Sequence, residues 1–239
     1  MIPYIVLNGI SSNTVTGLLI STLPPISKPR QRTEVDEING RDGDIVNVLG
    51  YSAYDKSFNI ALKGQYNVDD VIEYFNSSGK VIFSNEPDKY YRYAIYDSID
   101  FAKLIRYKTA TVKMHVQPFK YSADEKEKSF TYPAGTTSAS ISVRNNGNIY
   151  SKPKLTITGS GSIYVYLGNM QIFDITLDSN GESIIIDIDK LNAYGVDGNY
   201  LNRQVVGDYN NFILQTGVNL INVTGNVSEI AIDNYSRWI

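Results

Sequence analysis

The first half of the chain alternates apolar and polar residues in short runs that end at Asn, Gly or Pro. A period of two is that of a strand with one buried face. Tyr4-Ile5-Val6-Leu7 followed by Asn8-Gly9 predicts a strand and a turn. Val15 to Ser21 predicts a second strand, after which Pro24, Pro25 and Pro29 interrupt regular structure. Phe58, Ile60 and Leu62 alternate with polar residues, and so do Val112, Met114 and Val116 within 109–119. Val81 to Phe83 and Tyr90 to Tyr96 add two more strands. The period changes once. Val68, Val71, Ile72 and Phe75 follow helical spacing behind Asn67 as N-cap, with Gly79 past the end, which predicts one helix.

Between about Ile26 and Tyr51 the pattern differs. Lys28, Arg30 and Arg32 alternate, and Glu34 and Asp36 continue in step. An extended chain places all five charges on one face, basic before acidic. Asn39-Gly40-Arg41-Asp42-Gly43-Asp44 predicts a turn, and Ile45, Val46, Val48 and Leu49 an apolar return strand. The segment reads as a long hairpin with a charged outgoing arm, which a compact monomer has few ways to bury. A solvated edge hairpin is the plain account. The functional account is a subunit-interface arm carried by Lys28, Arg30, Arg32, Glu34, Asp36, Arg41 and Asp42.

Asp124-Glu125-Lys126-Glu127-Lys128 contains no apolar residue. It predicts a linker over 122–130, between a first domain over 1–121 and a second over 131–239. Beyond it the apolar alternation is almost continuous, from Ile141 and Val143 to Ile230 and Ile232. Turns are predicted at Asn145-Asn146-Gly147, Gly159-Ser160-Gly161, Gly168-Asn169 and Asn180-Gly181. Lys190 to Asn211 reads as irregular, and Phe212 to Leu214 as a strand. Strands at this spacing predict an antiparallel sandwich or jelly roll, so the expected class is mainly β.

Composition narrows the chemistry. The chain has 239 residues, 42% of them hydrophobic, enough for a core in each domain. A net charge of −3 argues against a dedicated nucleic-acid binder, which needs a basic excess. With no cysteine and one histidine, thiolate chemistry and His-based metal clusters are excluded within one chain. Met1 to Ile20 lacks a basic leader and a long apolar run, so neither a signal peptide nor a membrane span is expected, and synthesis in a cytoplasm is. Gly159-Ser160-Gly161-Ser162 has no following helix or lysine to cradle phosphate. His115, the only histidine a catalytic triad could use, lies on the polar face of its strand. Glu34, Asp36, Glu37, Asp42 and Asp44 do not fall in the order of a calcium loop. The expectation is no enzyme, and no catalytic, metal or cofactor residue. The 19 tyrosines leave one binding alternative, a carbohydrate-binding module in which Tyr194, Tyr200 and Tyr209 stack on cell-wall glycans. Packing within the loop, or against a partner, competes with it.

Several local patterns together resemble the distal tail protein (Dit) family of long, non-contractile-tailed bacteriophages. They are the opening strand with Asn8-Gly9, Pro24 to Arg32 running into Asn39-Gly40-Arg41-Asp42-Gly43, and Val116-Gln117-Pro118-Phe119. Asn145-Asn146-Gly147-Asn148, Lys152 to Ile157, Gly159-Ser160-Gly161, Gly217 to Ile221 and Ser236-Arg237-Trp238 complete the set. The resemblance implies an N-terminal β domain with one helix and a long hairpin, or belt, and a C-terminal galectin-like β-sandwich. It implies a ring of six copies at the distal end of the virion tail, a structural hub of the baseplate. The implied partners are the major tail protein, the tape measure protein and the tail-associated lysin, with receptor-binding or baseplate proteins at the periphery. No cofactor, membrane or specific nucleic acid is implied. The second domain is too short for a large inserted arm, and Lys190 to Asn211 is the only room for a small one.

Overall fold

The structure, a computed structural model, describes residues 2–133 and 135–239. The chain divides into two compact units, residues 1–123 with Ile239, and residues 124–238.

The first unit contains β1 (Ile5–Leu7), β2 (Ile10–Ser11), β3 (Leu18–Thr22), β4 (Gln31–Glu37), β5 (Asp44–Tyr51), β6 (Tyr54–Leu62), β7 (Ser78–Phe83), β8 (Lys89–Ala94) and β9 (Thr109–Ser122). All but β4 and β5 join one antiparallel sheet, in the order β2-β1-β7-β8-β9-β6-β3. The period of two behaves as expected: Val112, Met114 and Val116 are buried, and so are Phe58, Ile60 and Leu62. With α1 (Val68–Phe75) over them they form one core. Asn67 caps α1, its Oδ1 accepting from the N–H of Asp69 at 3.1 Å. The helix buries Val71, Tyr74 and Phe75 and leaves Ile72 outside.

Two expectations about helices fail here. Gly79 does not close α1. It lies inside β7 at φ +140°, where a Cβ would come within 2.1 Å of Asn8 Oδ1. A second helix, α2 (Phe101–Tyr107), was not expected. Asp100 caps it, accepting from the N–H of Lys103 at 2.8 Å. Only Leu104 of α2 is buried, so no apolar period marks it.

The second unit contains β10 (Lys128–Thr131), β11 (Ser138–Asn145), β12 (Lys154–Leu167), β13 (Met170–Asp187), β14 (Asn192–Gly195), β15 (Val205–Gly207), β16 (Gly217–Asp233) and β17 (Arg237–Trp238). The charge run is shorter as a connection than 122–130, because Ser122 ends β9 and Lys128 starts β10. Gly168-Asn169 makes the expected two-residue hairpin, with Leu167 opposite Met170 and Gly168 at φ +61°. Gly159-Ser160-Gly161 and Asn180-Gly181 are not turns but lie within β12 and β13. Lys190 to Asn211 is not irregular throughout, since β14 and β15 pair with opposite halves of β13. Phe212 to Leu214 forms no strand; Leu214 makes only an isolated bridge to Ser151.

The three long strands explain these differences. Residues 154–159 of β12 lie between the far halves of β13 and β16, while 164–167 lie between their near halves. Each long strand thus serves two ladders, one edged by β10 and β14, the other by β11 and β15. Leu155, Ile184 and Ile230 from the first share a single core with Val143, Phe173 and Val223 from the second. This is a sandwich made by bending strands rather than breaking them. At the bend a Cβ on Gly159 would sit 2.3 Å from the Asn226 carbonyl oxygen, and one on Gly225 (φ +122°) 2.4 Å from that of Ser162. Backbones approach there to distances that only glycine permits. Gly225→Val should therefore destabilise this unit by about 1–3 kcal/mol, the usual cost of such strain. Thermal unfolding followed by calorimetry measures it, and an unchanged transition would refute the bend argument.

Candidate functional site

The hairpin β4–β5 pairs with no other strand; it is a sheet of two. Its register sets Thr33 opposite Val48, Val35 opposite Val46, and Glu37 opposite Asp44 on one face. Glu34 opposite Asn47 and Asp36 opposite Ile45 occupy the other. Neither face is covered: Val35, Val46 and Val48 are 51%, 56% and 58% exposed. The hairpin is thus an amphipathic ribbon with an open apolar face. An isolated two-stranded hairpin is marginal in water, so this is a surface short of a layer.

Its root is held by side chains. Pro24 and Pro25 cannot donate to a ladder, and the chain runs from them to β4 with no strand of its own. Their carbonyls are bonded instead by Asn85 Nδ2 on Pro24 O at 3.2 Å and Lys56 Nζ on Pro25 O at 2.8 Å. Tyr54 OH reaches Ser27 O at 3.4 Å, and the N–H of Ser52 bonds Arg30 O at 2.8 Å. Lys56 is 3% exposed. Its ammonium lies 4.8 Å from the ring centroid of Tyr91, with Tyr54 and Phe83 also around it. Burial pushes the ammonium pKa down to about 8, against the opposing pull of Glu86. Glu86 itself accepts from Tyr91 OH at 2.6 Å and pairs with Lys120 at 2.8 Å.

The candidate interface residues Lys28, Arg30, Arg32, Glu34, Asp36, Arg41 and Asp42 are all exposed. Only Arg32, Glu34 and Asp36 alternate within β4, because Lys28 and Arg30 precede the strand. Among the described residues none of the seven forms an ion pair within the chain. Asp36 accepts from Asn47 Nδ2 at 3.3 Å. Sequence reasoning missed the apolar face and the buried lysine. Lys56 was legible, since it stands in the inward register of Phe58, Ile60 and Leu62.

The remaining candidates separate. Tyr194 and Tyr200 face each other across an isolated bridge, and Tyr200 is 74% exposed. Tyr209 is half-buried, its ring 5.2 Å from Phe173, and burial raises its phenol pKa. His115 lies in a cross-sheet row Ser78, Ala94, His115, Asp55. Its Nδ1 is 2.8 Å from Asp55 Oδ1, and Lys113 bridges Asp55 and Asp97. Hydrogen bonds from Lys113 and His115 hold the Asp55 carboxyl below the usual carboxylate range. Ser78 stands two strands from His115, roughly 10 Å at strand spacing, with Ala94 between. Among the described residues no cluster of metal-ligating side chains occurs, and no helix is long and apolar enough to cross a membrane.

No known family profile and no curated protein matches the sequence. The fold, by contrast, is that of phage tail-tip hub and baseplate proteins. Over 97% of this chain and 98% of the other it matches phage SPP1 Dit (gp 19.1), described as a paradigm of the hub adsorption apparatus of phages infecting Gram-positive bacteria. The TM-score is 0.64 at 17% identity. It also matches the phage P2 baseplate in its activated conformation with Ca, with a TM-score of 0.51, 10% identity and 97% of each chain covered. The chain therefore has a Dit-like, mainly β fold from end to end, as the sequence resemblance implied.

Lys56→Met should loosen the arm's root. One kcal/mol of lost anchoring is about a fivefold rise in local opening, read as faster amide exchange at Ser52. The same variant isolates a pH effect. The folded pKa of Lys56 is below its unfolded value of 10.5, so the charged form costs the folded state stability. That penalty is full below about pH 8 and is relieved as pH climbs towards 10.5. The wild type should gain stability over Lys56→Met in that window, by urea unfolding; parallel pH curves would exclude a strained lysine.

Proposed function

We propose that this protein is a structural hub of a phage tail tip, a ring of copies joined through the β4–β5 arm. The observation that carries this reading is the arm itself, an amphipathic ribbon whose apolar face is left open among the described residues. The end-to-end likeness to a hub protein supports it. Burying each valine contributes about 1.5–3 kcal/mol, while each exposed ion pair contributes under about 1 kcal/mol. The apolar face therefore supplies the affinity, and Lys28, Arg30, Arg32, Glu34 and Asp36 set register and orientation.

Six copies are the number the resemblance implies. In that arrangement the ring lies in the virion at the distal end of the tail, made first in the host cytoplasm. It joins the tail tube to the tail-tip or lysin protein, with the tape measure protein passing its lumen and receptor-binding proteins at its rim. Its role is assembly rather than catalysis, and the second domain is the galectin-like one. Light scattering with negative-stain images tests the ring: particles of six copies are expected. Arg30→Glu with Arg32→Glu should weaken or abolish them, and an unchanged ring would remove these two residues from the contact.

Carbohydrate binding remains a second reading on one observation, exposed Tyr200 bridged to half-buried Tyr194. Tyr209, packed on Phe173, does not join that surface. On a cell-wall glycan array this reading expects binding that Tyr200→Ala abolishes; a blank array removes it.

A further inference from the structure

The chain contains four Asn-Gly steps: Asn8-Gly9, Asn39-Gly40, Asn146-Gly147 and Asn180-Gly181. Asparagine is a chemically labile residue, and a following glycine makes it more so. With no Cβ to shield it, the glycine nitrogen can attack the asparagine Cγ. A bond forms between that nitrogen and Cγ, and the side-chain nitrogen leaves as ammonia. The product is a cyclic succinimide. Water then opens the ring at either carbonyl, leaving aspartate or an isoaspartate whose peptide link runs through the side chain. Water is the only co-reactant.

The fold decides which step is free to react. At Asn8 both amide atoms are engaged: Oδ1 accepts from the N–H of Lys80 at 2.9 Å, and Nδ2 donates to Ser78 O at 3.0 Å. At Asn146 the attacking nitrogen is engaged instead, since the N–H of Gly147 donates to Asn145 Oδ1 at 2.9 Å. Gly147 is also hemmed in; a Cβ there would sit 2.1 Å from the Arg237 carbonyl oxygen. Asn180 lies within β13, its N–H bonded to Asp178 Oδ1 at 2.8 Å, and Glu182 is already paired opposite Gly159.

Asn39 has none of these restraints. It sits at the tip of the arm, in a turn over 38–41 closed by the N–H of Arg41 on Ile38 O at 3.1 Å. Gly40 takes φ +85° at the third position, as in a type II turn. Both residues are exposed, and a Cβ on Gly40 would meet nothing within 4 Å. Among the described residues neither the Asn39 side chain nor the N–H of Gly40 forms a hydrogen bond. The peptide between them can therefore rotate until the nitrogen faces Cγ.

We propose that Asn39 is a site of spontaneous deamidation, selected by the fold over the other three Asn-Gly steps. The reaction alters the arm in two ways. It adds a carboxylate beside Glu37, Asp42 and Asp44, where Glu37 already stands opposite Asp44 across the ladder. In its isoaspartyl form it also adds one carbon to the backbone of the loop that fixes the register of β4 on β5. The arm tip thus records the age of each copy, and this holds whether or not copies form a ring.

The full chain is incubated at neutral and at mildly alkaline pH, digested in mild acid and mapped by mass spectrometry. Chromatography separates the aspartyl from the isoaspartyl peptides. Modification is expected at Asn39 several-fold faster than at Asn180, with Asn8 and Asn146 intact. The rate should rise with pH, because the attacking nitrogen must lose its proton. In urea the four steps should react at similar rates. Asn39→Gln should remove the modification from the arm tip and leave the other three sites as they were. Asn39 staying intact in the folded chain, under conditions that modify the unfolded one, would overturn the proposal. So would a folded chain in which Asn8, Asn146 or Asn180 reacts as fast as Asn39.

Discussion

A two-stranded β ribbon has two faces and, on its own, nothing to lay against either. In larger sheets a second layer or a helix removes the apolar side from water. The β4–β5 arm has neither, yet it carries Val35, Val46 and Val48 on one side. Extension would serve no purpose if the arm could swing freely. Pro24 and Pro25 keep its root out of the main sheet, and their carbonyls are taken up by Asn85 and Lys56. A buried ammonium is a costly way to bond one carbonyl. The surrounding rings of Tyr54, Phe83 and Tyr91, with Glu86 nearby, make that cost tolerable. The arm is thus anchored where it begins and open where it ends.

The second unit solves the opposite problem, that of enclosing a core without leaving long free edges. Three long strands bend at glycine-rich positions, so each contributes to both layers. The bend requires backbones to approach more closely than a Cβ allows, at Gly159 and Gly225 above all. Short edge strands such as β14 and β15 then close the ladders. The likeness to phage hub proteins extends over both units at 17% identity or less, so what is shared is architecture. Function has to be argued from surfaces, and the arm is the surface with the strongest physical demand.

Strands β6 and β9 were legible because each has one buried face and therefore a period of two. Helix α1 was legible through Val71 and Phe75 and its Asn67 cap. Helix α2 was not, since a seven-residue helix that buries only Leu104 leaves no period to read. Gly159-Ser160-Gly161 and Asn180-Gly181 carry the same composition whether a chain turns or a strand bends. Which occurs depends on partners far away in sequence, such as Asn226 beside Gly159.

The candidate site divides in the same way. The hairpin, its turn and its alternating charges follow from local spacing, because backbone pairing across a short loop is a local event. That its apolar face stays open follows only from the tertiary structure, since burial depends on what else the chain brings alongside. The sequence determined a charged arm with an apolar return strand. The folded chain decided that, among the described residues, the valines of that arm stay exposed, because the long strands of both units are already committed to their own cores.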